Sequence, residues 1–361
     1  YEWRMVSHVI RHPRENEILE VRTERGKHVR VTGCHSLFTW DPESRQVAEV
    51  EARTLRAGDY IVAPRRLPET VRVDRLNLLS FLEVEDLASR QVFVYGIPES
   101  IFERLDQAST TFHRKAEGDK SRRWFRLEGR DGRSAEVLDD SWFQYRRRGF
   151  LPAHLVKRLG LEVDCGGGQL RTYHHGAITE TPVTWLLTRD LMRLLGLYVA
   201  EGHSDARQVG LTFASRETSL VEEVVATAQG LGLKTSVEAR ERHAVRVKLF
   251  GGLTSLLFPA WCGRGARNKK VPGFVYHAER DLRQHFLDGL YEGDGHRVKT
   301  REALMLGSSS RQLIEDVEVL WLLQGVVPSR SGPYRQHGLG RAPSTSWRLD
   351  VYGFDIAASH V

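Results

Sequence analysis

The sequence predicts an α+β fold in which one αββαββα half is built twice, preceded by a β-rich segment and a basic one. Three observations carry that prediction. Two short stretches, LLGLYVAEG at 194–202 and LDGLYEGDG at 287–295, place apolar and small residues at helical spacing and end in an acidic residue followed by glycine. The sequence after each also repeats: VGLTFASRETSLVEEVVATAQGLGLKTSV at 209–237 is answered by ALMLGSSSRQLIEDVEVLWLLQGVVPSRS at 303–331, both reading as strand, Ser-rich turn, amphipathic helix, Gly-containing loop and strand. Finally VRVKLFGGL at 245–253 is answered by WRLDVYGFD at 347–355, two alternating runs that read as half-buried strands.

The first 68 residues are β-rich. GKHVRVTGCHSLFTW at 26–40 holds Thr32 and His35 in a T-x-x-H spacing, and LRAGDYIVAPRRLP at 55–68 reads as a strand beside a Gly-Asp turn. Together these blocks resemble the interior of a Hint, or intein splicing, domain. The resemblance implies that His35 donates to the nitrogen of a scissile peptide bond and promotes an acyl shift, while the Thr32 hydroxyl holds the geometry. T-x-x-H alone arises often by chance, and the Gly-Asp block and the downstream repeats give it weight. Splicing also needs a Cys or Ser at the first residue and a terminal His-Asn followed by a nucleophile, whereas the sequence begins at Tyr1 and ends at Val361. The chain is therefore expected to be a piece of an intein cut at both ends. It should not splice as given, and host exteins would be partners of the full-length parent.

Residues 69–185 read as an intervening module. LNLLSFLEVEDLAS and IPESIFERL have helical patterns, AEGDKSRR is polar, and GGG at 166–168 looks like a flexible link before the first repeat. Fourteen Lys/Arg against nine Asp/Glu fall in 110–175, so much of the chain's positive excess sits there. SWFQYRRRGFLPAHLVKRLG mixes aromatics with Arg146, Arg147 and Arg148, a combination suited to phosphate contact. The plainer alternative is a helix with a solvated basic face.

The repeats occupy 186–285 and 286–361. A lone apolar helix ending in Glu-Gly is most often a core helix with a C′ glycine cap. A carboxylate in the last turn opposes the helix dipole, however, and two such carboxylates imply a cation beside them. Gly196, Ala200, Gly289 and Gly293 lie four apart in pairs and give each helix a small-residue face. The double motif resembles the LAGLIDADG homing endonucleases. That resemblance implies two helices side by side, each delivering one acid, Glu201 and Asp294, as metal ligands at a DNA cleavage centre that uses Mg²⁺. It also implies a catalytic lysine in NKKVPGF, Lys270, with Lys269 as substitute, and a saddle of β-strands lying along the major groove. The outward base- or phosphate-contacting candidates are Arg240, Arg242, Arg246 and Lys248 in the first repeat and Arg330, Arg335, Arg341 and Arg348 in the second. FDIAASHV at 354–361 would be the last helix of the second repeat.

Composition agrees with this. The 361 residues suffice for two or three domains, and 40% apolar residues for real cores. No apolar run approaches the roughly 18 residues of a membrane span, and the N-terminus does not read as a signal peptide. Cys34, Cys165 and Cys262 have no metal-ligand spacing and suggest reduced thiols in a cytoplasmic protein. The net charge of +6 suits a polyanionic partner but is weak on its own. The sequence is thus read as an intein-derived, Mg²⁺-dependent endonuclease for double-stranded DNA with a long asymmetric target, monomeric with internal pseudo-two-fold symmetry. The endonuclease half, residues 186–361, is expected to fold and cut without residues 1–68, provided the basic module is retained. Two rivals are a non-cleaving WhiA-like DNA-binding protein, disfavoured because both acids are kept, and an RNA maturase, disfavoured by the Hint-like blocks.

Overall fold

The structure, a computed structural model, describes residues 5–8, 17–69, 72–115, 121–174, 177–205, 208–240, 243–298, 300, 302–336 and 344–352. The chain divides into two compact units, one made of Tyr1–Arg72 with Ala266–Val361 and the other of Val73–Gly265. The first unit is discontinuous in sequence, joining the N-terminal β-segment to the second repeat.

The N-terminal part is all-β: β1 (Ile18–Arg22), β2 (His28–Thr32), β3 (Ser36–Asp41), β4 (Gln46–Glu51) and β5 (Tyr60–Ile61). β1 pairs with β2, and β3 lies between β4 and β5, so the sheets are small and open. Thr32 closes β2, and the His35 N–H donates to its carbonyl at 3.0 Å. The T-x-x-H block is therefore the reversal from one hairpin to the next. In the Gly-Asp turn the Arg56 N–H donates to the Asp59 carboxylate at 2.8 Å and the chain then enters β5. Among the described residues of β1–β5 only Val31 is buried, too little apolar area to hold these strands together alone.

In the second unit β6 (Arg75–Asn77) leads through a 3₁₀ turn, Leu78–Phe81, to α1 (Val84–Ser89). The single helix suggested by LNLLSFLEVEDLAS is thus broken, because the Asn77 side chain accepts from the Leu79 N–H and caps the tight turn. β7 (Val92–Tyr95), α2 (Glu99–Gln107), β8 (Thr110–Lys115), β9 (Ser121–Glu128), β10 (Ser134–Leu138), α3 (Asp139–Arg148), β11 (Phe150–Pro152), α4 (Ala153–Arg158), β12 (Gln169–His174), β13 (Ala177–Pro182) and β14 (Thr184–Leu186) follow. They form a three-stranded sheet β10-β9-β8, a four-stranded sheet β11-β7-β12-β13 and a pair β14-β6. The glycines at 166–168 are not the link expected of them. Gly168 is buried, a Cβ there would lie 2.6 Å from the Tyr95 carbonyl oxygen, and the Thr184 hydroxyl donates to the Gly166 carbonyl at 2.7 Å. Glycine serves close approach of backbones at that point.

The first repeat continues in the same unit with α5 (Arg189–Glu201), β15 (Gly202–Ser204), β16 (Gln208–Ala214), α6 (Thr218–Gly230), β17 (Lys234–Arg240), β18 (Ala244–Phe250) and α7 (Thr254–Cys262). The second, in the first unit, comprises α8 (Arg280–Asp294), β19 (Gly295–Val298), β20 (Ala303–Ser308), α9 (Arg311–Gln324), β21 (Ser329–Gln336) and β22 (Ser344–Tyr352). Their antiparallel sheets have the same strand order, β15-β16-β18-β17 and β19-β20-β22-β21. The duplicated α+β architecture is present as the sequence predicted. The segment equivalent to α7 in the second repeat, FDIAASHV, lies outside the described residues.

Each helix covers one sheet face because its apolar stripe and the inward strand positions coincide. Leu191, Leu195 and Tyr198 with Val209, Leu211, Val247 and Leu249 form one core; Phe286, Leu290 and Trp321 with Leu306, Leu349 and Val351 form the other, all 1% exposed or less. The N-terminal hairpin docks on the second of these. Lys27 pairs with Glu318 of α9 at 2.8 Å, the Arg330 N–H donates to the Arg25 carbonyl at 3.0 Å, and the Leu67 N–H donates to the Leu322 carbonyl at 3.1 Å.

Candidate metal and nucleic-acid site

Both motif helices pass into a strand with no loop between. α5 ends at Glu201 and β15 starts at Gly202; α8 ends at Asp294 and β19 starts at Gly295. The cap glycines are extended, with φ of −83° and −79°, and each N–H donates to the tyrosine carbonyl four residues back, Tyr198 or Tyr291. Neither is the left-handed C′ glycine of an ordinary helix end. Glycine is needed for space: a Cβ would fall 2.1 Å from the Tyr198 ring at 202 and 2.1 Å from the Tyr291 carbonyl oxygen at 295. The tyrosines are themselves clamped, Tyr198 edge-on to Phe258 with centroids 5.0 Å apart and Tyr291 edge-on to Trp321 at 5.7 Å, with the indole N–H donating to the Tyr291 hydroxyl at 2.9 Å. Two copies of one steric device thus fix where the acids emerge.

Glu201 is half-buried at the end of α5 in the second unit, and Asp294 ends α8 in the first. Surrounding protein dehydrates the Asp294 carboxyl and pushes its pKa up to about 6, against the opposite pull of the Lys269 ammonium. The residue still has access to water, so its carboxyl is crowded without being sealed. Lys269, 6% exposed, is the lysine that acts on the acid; Lys270 points to solvent. This revises the choice of Lys270 made on the Lys-x-Pro spacing. The reason lies in α9. Ser310, its N-cap, accepts from the Leu313 N–H and donates its hydroxyl to the Lys269 carbonyl at 2.6 Å. Asp316, further along α9, accepts the Val271 N–H at 3.0 Å. These two side chains grip the backbone on both sides of Lys270 and turn its side chain outward.

In the first repeat the pleat sorts the strand residues into two faces. Val209, Leu211, Val247 and Leu249 face the helices. Register places Gln208 and Thr212 of β16, Lys234, Ser236, Glu238 and Arg240 of β17, and Arg246 and Lys248 of β18 together on the opposite face. Arg240, Arg246 and Lys248 therefore share one surface, as the sequence suggested; Lys234 and Ser236 share it and were missed, although the alternation of KTSVEAR would have marked them. Lys248 pairs with Glu238. Arg246 Nε and Ser236 Oγ are buried there with no hydrogen-bond partner among the described residues, an arrangement that costs about 1–3 kcal/mol per group unless a ligand supplies the partner. The surface runs into a cavity of about 460 Å³ lined by Arg90, Tyr173, Gln208, Lys234 and Phe250. Arg242 lies outside the described residues.

The second repeat differs. Arg330 is opposite Leu349 in register and so faces α9, where it pairs with Glu315 at 2.9 Å and Glu318 at 3.5 Å, 13% exposed. The outward position expected of it does not hold, because two carboxylates on α9 draw it inward. Arg348 lies on the other face, over the Tyr334 ring at 5.1 Å, and Arg335 is exposed. Arg341 lies outside the described residues. In the intervening module Arg146 is tied to Asp106 and Glu99 of α2, and Trp142, Tyr145 and Phe150 pack inward. Arg147, Arg148 and Phe143 are exposed, and Arg146 is exposed but held by its two ion pairs. Thr32 is half-buried and His35 exposed. No group of three or more His, Cys, Asp or Glu among the described residues is arranged around a common metal position.

A model of the intein splicing domain matches residues 1–322. The chain belongs to the intein splicing family. Among curated relatives of this intein, a DNA polymerase of Thermococcus kodakarensis is 26% identical over 92% of the chain and 22% of its own length. Elongation factor 2 of Methanopyrus kandleri is 25% identical over 87% of the chain and 24% of its own length. The intein thus spans less than a quarter of the length of either. A solved structure of mesophilic variants of the homing endonuclease I-DmoI aligns with 48% of the chain and 94% of its own, at 15% identity and a TM-score of 0.36. No helix among the described residues is long and apolar enough to cross a membrane.

Proposed function

We propose that this intein carries a LAGLIDADG-type endonuclease that cleaves double-stranded DNA at a specific site. The observation that carries the reading is the pair of equivalent helix-to-strand junctions, Glu201-Gly202 and Asp294-Gly295, each feeding a four-stranded antiparallel sheet of the same strand order. A DNA polymerase and an elongation factor that share this segment, over less than a quarter of their own length, support a passenger inserted into hosts of unrelated activity. In the full-length parent, Thr32 and His35 would act on the N-terminal splice junction.

A pair of carboxylates suits Mg²⁺, which binds through one or two carboxylates and completes its shell with water and phosphate. Glu201 and Asp294 would hold it, and when bound it would supply charge neutralisation at the scissile phosphate and an activated water. Lys269, held by Ser310 and facing Asp294, would stabilise negative charge as it grows on the phosphoryl oxygens. Lys234, Arg240, Arg246 and Lys248 would bind the duplex along the polar face of the first repeat's sheet, and Arg348 and Arg335 would serve the second. Arg147 and Arg148 would add phosphate contacts from the module.

Cleavage of the intein-free allele of the host gene in Mg²⁺ tests this. Glu201→Gln and Asp294→Asn should each abolish cutting while duplex binding persists, and Lys269→Met should cost more activity than Lys270→Met. Binding without cutting by the native chain would instead favour the non-cleaving regulator.

A further inference from the structure

The outer face of the sheet β10-β9-β8 carries an arginine and aromatic ladder that the proposed cleavage site does not use. Register sets Arg114 opposite Arg122, Phe112 opposite Trp124, and Thr110 opposite Arg126 on one face of the β8–β9 ribbon. The other face is the packed one, with Leu127, Ala135 and Val137 buried. β8 and β9 together hold five Lys/Arg and one acidic residue. Arg114 lies over the rings of Phe112 and Trp124 at 5.5 and 5.3 Å, and Arg126 over Phe112 at 5.8 Å. Glu136 of β10 pairs with both of these arginines, at 2.7 and 3.0 Å. Arg122, on this face, is exposed and carries no ion pair among the described residues.

Like charges directly opposite across a β-pair are destabilising, and the single Glu136 carboxylate, shared between Arg114 and Arg126, leaves part of the cost of Arg114 facing Arg122 in place. A polyanion would recover it. A twisted antiparallel sheet can lie along the DNA major groove, and half-exposed rings between arginines on this three-stranded sheet supply apolar area beside the charges.

We infer that the β8–β9 ribbon is a second duplex-DNA contact of this chain, lying outside the repeats. This rests on the reading of the protein as a DNA-cleaving enzyme and names the surface through which the intervening module would extend its grip.

The test measures binding of the full chain to a fluorescein-labelled duplex of about 40 base pairs and arbitrary sequence across a salt series, because phosphate neutralisation is independent of sequence. Arg122→Gln should flatten the dependence of log affinity on log salt by about 0.9, the share of one phosphate that is no longer neutralised. Glu136→Gln frees Arg114 and Arg126 and should tighten binding and steepen the slope, a gain that misfolding cannot imitate. An Arg122→Gln protein that melts at or above the native temperature with an unchanged slope would overturn the inference and leave the cleavage reading intact. Failure of the native chain to bind the duplex at all would overturn both.

Discussion

Asp294 shows how a side chain proposed as a metal ligand can oppose stability. Its folded pKa of about 6 stands above the ordinary carboxylate range, so the folded state holds the proton more tightly than the unfolded one. The stabilisation from that proton is complete at about pH 4 and is lost as pH rises through about 6, leaving an ionised acid that the fold disfavours. Asp294→Asn should therefore raise the melting temperature at pH 8 and leave it nearly unchanged at pH 4. A larger gain at pH 4 than at pH 8 would contradict the sign of the shift. Arg283 of α8 offers a second residue-scale test. It is fully buried and forked onto Glu69 at 3.0 and 3.2 Å. Glu69→Ala strands that charge and should cost about 2 kcal/mol in a urea melt, less than the roughly 3–5 kcal/mol of a fully buried pair because Glu69 is 54% exposed. Adding Arg283→Met should recover most of the loss.

At the scale of elements, the acid-glycine ending of each motif helix was legible, but the reason for the glycine was not. Sequence alone points to a left-handed cap, whereas the helix turns directly into an extended strand and the tyrosine one turn back fills the space a side chain would need. Gly295→Ala should accordingly cost about 3 kcal/mol through overpacking against the Tyr291 backbone, measurable by denaturant titration. An ordinary C′ position would lose about 1 kcal/mol through its positive φ. The strands show the same division. KTSVEAR and VRVKLF reveal by alternation which residues share a face. Arg330 escaped this logic because its side is fixed by pairing with β22 and by Glu315 and Glu318 on α9, and neither is visible within SRSGPYRQ itself.

At the scale of the whole molecule, the N-terminal β-segment and the second repeat form one compact unit despite the residues between them. The expectation that residues 186–361 fold without residues 1–68 loses its basis. Removing that segment strips Lys27 from Glu318, the Arg25 carbonyl from the Arg330 N–H and the Leu67 N–H from the Leu322 carbonyl. Deletion of residues 1–68 should lower the melting temperature of the first unit by several degrees or more and broaden its transition, while the second unit, Val73–Gly265, keeps its own melt. Two unaltered transitions in the truncated chain would restore the sequence-based division.

The sequence by itself determined the duplication, the helix and strand order of each repeat and the acid-glycine ending of each motif helix. These follow from periodicity, which is local, and from resemblance between segments that can be read side by side. Tertiary structure decided which of two adjacent lysines meets Asp294, which arginines are spent inside the fold, and which distant segment completes the second repeat's unit. Each of those depends on what packs against a side chain: Ser310 and Asp316 turn Lys269 inward, Glu99 and Asp106 hold Arg146, and α9 captures both Arg330 and the N-terminal hairpin. Hydrogen bonds and ion pairs between residues tens to hundreds of positions apart leave no periodic trace in the chain, so only the folded arrangement distinguishes an arginine that binds a partner from one that holds the protein together.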